Sequence, residues 1–271
     1  MWNKRSRFYF LFTLAIAGLI ALQMGMYALH VLFGLQIRFN VLQICNNWMK
    51  SAGIVSMSHI LDGLVLYAIL LSLWITARQW LAIRRTTRRL QAKRQRIYSR
   101  HVFIIQDSRP TAFTMGFWNP RIYLSTGLLR LLDRDEAAAV IHHEQFHRNH
   151  RDPLKKYLMN LSSSVFWYIP LLCWMLRQYG MVREILADQY AMERMGSSAE
   201  LGSALLKMLK KAGASPMRAV HVSFAETSVN YRILHILDPQ ADLSGKPPWR
   251  LILLSVPVLV MLSILLTWAV L

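Results

Sequence analysis

The sequence predicts a mainly α-helical membrane protein with a small α+β domain set between its membrane-spanning helices. Of 271 residues, 54% are hydrophobic and only 17% are charged, and the mean hydropathy is +0.28. That balance excludes a disordered chain and argues against a purely soluble one. The apolar residues gather into long uncharged runs near both ends of the chain, while the stretch between has the shorter rhythm of a folded domain.

A net charge of +18 would by itself suggest a nucleic-acid binder. Its distribution argues otherwise. Residues 1–100 hold 14 of the 32 Lys and Arg against one acid, Asp62, whereas residues 101–247 hold 17 basic and 13 acidic residues. The excess therefore surrounds the N-terminal apolar runs, which is a pattern of membrane topology. A lipid bilayer is the expected partner, and nucleic acid is not.

Residues 1–77 read as a transmembrane hairpin. Lys4, Arg5 and Arg7 precede Phe8–Leu35, a run of 28 residues without a formal charge. A span needs about 20 apolar residues, so this one crosses with some tilt. It exceeds the roughly 7–15 apolar residues of a signal peptide and shows no small-residue cleavage site, so it reads as an uncleaved anchor. The second span is Ile54–Ala77, interrupted by His59 and Asp62 one turn apart. An ionisable pair inside a span is a functional hypothesis by default. The favoured reading puts both at the outer interface, with the apolar core at Gly63–Ala77. Arg78–Arg100 follows as a basic linker with nine Lys and Arg and no acid. Such clusters stay in the cytosol and attract anionic lipid.

Residues 101–247 form the central domain. His101–Gln106 is β-rich, and Thr111–Ser125 reads as two short strands around Gly116 and the Asn119-Pro120 turn. Asp133, with Glu136 three positions on, opens a helix that runs through His147. Ser197–Ala212 is a further helix with Leu201, Leu205, Met208 and Leu209 on its packing face. Pro247-Pro248 ends the domain, and 248–271 is a third span with Trp249 and Trp268 at its interfaces. Cys45 and Cys173 form no disulfide framework and no metal-site spacing.

The chemistry lies at residues 142–150, where His143-Glu144-x-x-His147 matches H-E-x-x-H. On a helix, i and i+4 project from one face, so both imidazoles reach one ion. A zinc held there acidifies a water whose proton Glu144 is placed to accept. A catalytic zinc needs a third protein ligand. Glu184 lies 37 residues after His147, room for one helical hairpin, and is assigned that part. Asp188, one turn later, can accept the remaining N–H of a ligating histidine. His142 and His150 are read as solvated or supporting residues. The longer pattern H-E-x-x-H-x-x-G-x-x-H fails, because His150 stands at its Gly position and Leu154 at its last His. A single crossing between His147 and Glu184 would separate the ligands, so the apolar stretch 153–180 is expected to fold as a hairpin broken near Ile169-Pro170.

Two N-terminal spans, a basic linker, G-x-x-x-P-R-I-x-L from Gly116 to Leu124, HHEQFHRNHRDPL and REILADQYAM together resemble the BlaR/MecR-type integral-membrane metallopeptidases. STGLL and Leu186-Ala187-Asp188 are also similar to the HtpX and CAAX-prenyl-protease group. The resemblance covers most of the chain. It implies a gluzincin-like zinc peptidase fold, a multi-pass location in a bacterial cell membrane with the site at the cytosolic face, and a protein substrate cut in response to a signal. It also implies one zinc on His143, His147 and Glu184, with Glu144 as base. By the same resemblance the strand around Thr111–Asn119 is the edge that pairs with extended substrate, against the alternative of a plain structural hairpin. Two departures stand out. The chain ends at Leu271 after an apolar run, so the extracellular penicillin-binding domain of the antirepressor sensors is not expected. The HtpX-like histidine six residues before an Arg is replaced by Glu226, counting from Arg232. The oxyanion partner is therefore open among His221, Tyr231 and Arg232, and the oligomeric state is open too. A quality-control protease and a non-catalytic signalling scaffold are the rival readings.

Overall fold

A computed structural model of the chain describes residues 2–33, 55–92, 94–99, 101–212, 231–236 and 248–270. Among the described residues, two helices, α1 (Trp2–Phe33) and α2 (Val55–Ala92), precede four strands: β1 (Arg94–Ser99), β2 (Val102–Ile105), β3 (Ala112–Met115) and β4 (Arg121–Ser125). Then follow α3 (Thr126–Leu131), α4 (Arg134–Asn149), α5 (Asp152–Val165), α6 (Pro170–Met195), α7 (Ala199–Ala212) and α8 (Trp249–Val270). Residues 231–236 are also helical. The architecture is mainly α with one small sheet, as the sequence predicts.

The chain makes two compact units, one of Met1–Phe8, Leu81–Tyr157 and Arg177–Gly245, the other of Tyr9–Trp80, Leu158–Leu176 and Lys246–Leu271. The second unit is built on apolar helices. Trp2–Leu29, Asp62–Thr86 and Trp249–Thr267 are each long and apolar enough to cross a membrane. Leu11 is 63% exposed and Leu73 62% exposed, as on helices that face an apolar surrounding. Polar side chains join helices inside this unit. The Tyr27 hydroxyl donates to Asp62 Oδ1 at 2.7 Å, so Asp62 has a partner on α1. The side chain of His59 lies outside the described residues. Ser255 Oγ accepts from the backbone N–H of Leu171 at 3.1 Å, satisfying one of the orphan donors at the start of α6.

Helix α2 does not stop at Ala77. It runs on to Ala92 and carries Arg78, Arg84, Arg85 and Arg88, residues the sequence placed in a linker. Arg, Leu and Ala are good helix formers, and nothing in Arg78–Ala92 breaks the run. The apolar hairpin turns where proline predicts. Helix α5 ends at Val165, and Pro170 is the first residue of α6, where its missing N–H costs nothing.

In the first unit the sheet order is β1-β2-β4-β3, with β2 and β4 parallel and the other pairs antiparallel. Alternation along β4 sends Ile122 and Leu124 inward to Val102, Leu128, Leu132 and Val140. Tyr123 faces the other way and stacks between Phe103 and Phe113, with centroids 5.8 and 5.4 Å away. Fully burying a Leu such as Leu128 stabilises by roughly 1.5–3 kcal/mol. The β3–β4 turn needs glycine at Gly116, whose φ is +117° and whose added Cβ would lie 3.0 Å from Asn119 O.

Helix α4 starts as predicted. Asp133 Oδ1 accepts from the N–H groups of Asp135 and Glu136 at 3.1 and 2.8 Å, and Glu136 Oε2 accepts from Asp133 N–H at 3.0 Å. This capping box is reinforced by Lys207 of α7, 2.6 Å from Glu136 Oε1. Helix α4 packs against β3, β4 and α7.

Candidate metal centre

Helix α4 presents His143 and His147 one turn apart, and α6 brings Glu184 against them. The two Nε2 atoms lie 3.2 Å apart. Glu184 Oε2 is 3.4 Å from His143 Nε2 and 3.7 Å from His147 Nε2. These three side chains form a group able to hold a metal ion, with ligand atoms within 4.8 Å of one another.

The ring nitrogens turned away from this point are already engaged. His143 Nδ1 faces Asp188 Oδ1 at 2.8 Å, and His147 Nδ1 faces Asp152 Oδ2 at 2.8 Å. With each Nδ1–H turned to a carboxylate, each Nε2 presents a lone pair. Two lone pairs 3.2 Å apart beside a carboxylate oxygen repel unless a cation sits among them. Ligand nitrogens about 2.0–2.1 Å from a tetrahedral zinc stand roughly 3.3–3.4 Å from each other, so the residues fit such an ion.

Each carboxylate is clamped by an arginine. Arg232 Nε and Nη2 donate to Asp188 at 2.7 Å each. Arg183 Nε donates to Asp152 Oδ2 at 2.9 Å, and its Nη2 lies 2.7 Å from Oδ1. Arg183 also lies over the Phe146 ring, 4.4 Å from its centroid. Asp152 is brought under His147 by the turn between α4 and α5, where Arg151 takes a left-handed φ of 52°.

Burial opposes charge on every one of these groups, and the partners overrule it. Lys156 first, then His147 and His143, holds the Glu184 carboxyl well below the usual carboxylate range. Arg232 lowers the pKa of Asp188, and His147 with Arg183 lowers that of Asp152. Burial disfavours the His147 imidazolium, yet Glu184 and Asp152 lift its pKa to about 9.

Glu144 follows His143 on α4 and is 8% exposed. Thr114 of β3 lies within hydrogen-bonding distance of it, its Oγ1 2.7 Å from Glu144 Oε2 and 3.1 Å from Glu144 O. Lys156 of α5 donates to Glu184 Oε1 at 2.9 Å. The cleft over the cluster has a volume of about 340 Å³, and its lining includes the polar Glu144, Lys156 and Arg232 and the apolar Val140, Leu201, Leu205 and Met208.

The structure therefore brings together His143, Glu144, His147, Glu184, Asp188 and Arg232. Arg232 was a candidate oxyanion partner; two of its nitrogens are engaged with Asp188, and Nη1 lies 3.7 Å from Glu184 Oε2. Tyr231 stands outside the residues lining the cleft. His221 lies outside the described residues. His142 Nδ1 pairs with Gln145 Oε1 at 3.0 Å, and His150 Nδ1 with Phe146 O at 2.9 Å, so both rings are engaged away from the cluster. Asp152, Arg183, Thr114 and Lys156 belong to no recognised metal-binding motif in the sequence. The one local hint is Asp152, an acid five residues past His147 at the start of the next helix.

Residues 20–236 match the model of the family described as BlaR1 peptidase M56, a span that contains the whole cluster. The chain belongs to that family of membrane-bound peptidases.

Proposed function

We propose that the protein is a zinc-dependent endopeptidase that cuts a cytosolic or membrane-associated protein as a step in regulated proteolysis. One observation carries this reading: three ligand atoms converge on one point while the Glu144 carboxylate opens onto the same cleft.

A zinc ion bound there would polarise the substrate carbonyl and acidify a water molecule. The chain's own residues do the rest. Glu144 takes the proton of the attacking water and returns it to the leaving amine. Thr114 limits the rotamers of that carboxylate, so its basic oxygen is aimed before substrate arrives. Asp188 and Asp152 fix the tautomers of His143 and His147, and Arg232 and Arg183 fix the carboxylates.

Among the described residues β3 pairs only with β4, which leaves its other edge for an extended substrate. Strand addition binds main chain and tolerates many sequences, which suits a peptidase. The basic residues of α2 and of the start of α1 favour a site on the cytosolic side of the membrane.

The test uses the full chain purified in detergent as wild type and as Glu144→Gln, followed by metal analysis and cleavage of an unfolded protein. The expected result is about one zinc in both and cleavage by the wild type alone. Zinc-free wild type, or equal cleavage by both, overturns the reading. Cleavage of many unfolded proteins at similar rates would favour quality control over regulation.

A further inference from the structure

We propose that Lys156 is a positioning residue that holds Glu184 as a one-oxygen metal ligand, an inference resting on the metal site proposed above. Glu184 offers two oxygens. Oε2 is the one that faces both imidazoles, at 3.4 and 3.7 Å. Oε1 accepts from Lys156 Nζ at 2.9 Å. The two oxygens therefore have different work.

Carboxylates bind cations through one oxygen or through both. With two imidazoles in place, a second oxygen from Glu184 would take the fourth position, which hydrolysis needs for water or substrate. A cation on Oε1 prevents that, because an ammonium in contact competes directly for its lone pairs.

The placement of Lys156 is set by the fold. Lys156 stands four residues after Asp152, one turn along α5, so both project from one face of that helix. That single face delivers Asp152 to His147 and Lys156 to Glu184. The docking of α5 thus fixes two of the three ligands together. Arg232 approaches the opposite oxygen, Oε2, at 3.7 Å and is committed to Asp188, so it does not duplicate Lys156.

The experiment compares wild type, Lys156→Met, Lys156→Gln and Lys156→Arg in the full chain. Zinc affinity is measured by chelator competition, and the visible absorption of the cobalt-substituted protein reports coordination number independently of activity. Wild type and Lys156→Arg are expected to give the strong absorption of a four-coordinate site. Lys156→Met and Lys156→Gln should absorb more weakly as Glu184 closes on both oxygens, with zinc affinity changed by about 10–100-fold. At saturating zinc both variants should cleave more slowly, and Lys156→Arg should restore the rate.

Thermal unfolding of the metal-free proteins shows that each variant is folded, and either neutral variant suffices if the other is not. Spectra and affinities of the neutral variants within twofold of wild type overturn the assignment while leaving the metal site intact. A wild type that binds neither cobalt nor zinc overturns both.

Discussion

Asp152 Oδ2 lies 2.8 Å from His147 Nδ1, the same separation at which Asp188 Oδ1 faces Nδ1 of His143. The two histidines of the motif are thus supported alike, one carboxylate each, although the carboxylates come from different helices. Arg183 backs the first and Arg232 the second.

This pairing makes Asp152 as important to the site as the ligands it serves. Asp152→Asn is expected to weaken zinc binding by about 10–100-fold, because an amide no longer fixes the ring as a carboxylate does. Asp152→Ala should also destabilise the fold by about 3–5 kcal/mol, since Arg183 is left buried and unpaired. Chelator competition measures the first effect and denaturant unfolding the second. An Asn variant with wild-type affinity would contradict the role given to the carboxylate.

Thr114 separates base geometry from metal binding. Removing its hydroxyl in Thr114→Val should lower kcat/KM by about tenfold, the effect of one hydrogen bond to a charged group. Zinc content should stay at the wild-type level, and Thr114→Ser should recover most of the rate. A Val variant that loses its zinc would mean the hydroxyl supports the fold instead.

His147 sets the pH dependence. Its pKa in the metal-free protein is about 9, against 6.5 for the unperturbed imidazole. A raised pKa of this kind stabilises the metal-free fold fully below pH 6.5, and that contribution is lost as pH rises through about 9. Zinc binding has the opposite slope, because a ligating imidazole must shed its proton. Affinity should climb about tenfold per pH unit between those limits for each proton displaced. Competition titrations across that range check the slope, and a flat profile would refute it.

The apolar wall of the cleft predicts substrate preference. Val140, Leu201, Leu205 and Met208 offer no partner for a charge. Peptides with Leu or Phe beside the scissile bond should be cut at least about tenfold faster than those with Asp there, given the cost of burying an unpaired carboxylate. Profiling a peptide library with the purified protein would reveal it, and equal rates for the two classes would rule it out.

Much of this was legible in the sequence because it depends on short spacing. His143, Glu144 and His147 follow from helical periodicity, the capping box of Asp133 and Glu136 from its three-residue interval, and the break at Pro170 from proline's missing donor. Glu184 and Asp188 were legible one step later, as a second i, i+4 pair beyond a hairpin. Thr114 was not, because its bond to Glu144 crosses 30 residues of sequence between a strand and a helix. Lys156 and Arg183 belong to no metal-binding motif in the sequence. Only tertiary packing shows that they face inward. The reach of α2 into the basic stretch was obscured by composition, since charge marks a cytosolic segment without saying whether it is helical.

The left-handed turn at Arg151 has a consequence for how the cleft assembles. Outside glycine and asparagine this backbone state is uncommon, and here it turns the chain from α4 into α5. If α5 loosened, Asp152 would move away from His147. Lys156 would leave Glu184 in the same movement. Docking of α5 and readiness of the cleft are therefore coupled through Asp152 and Lys156.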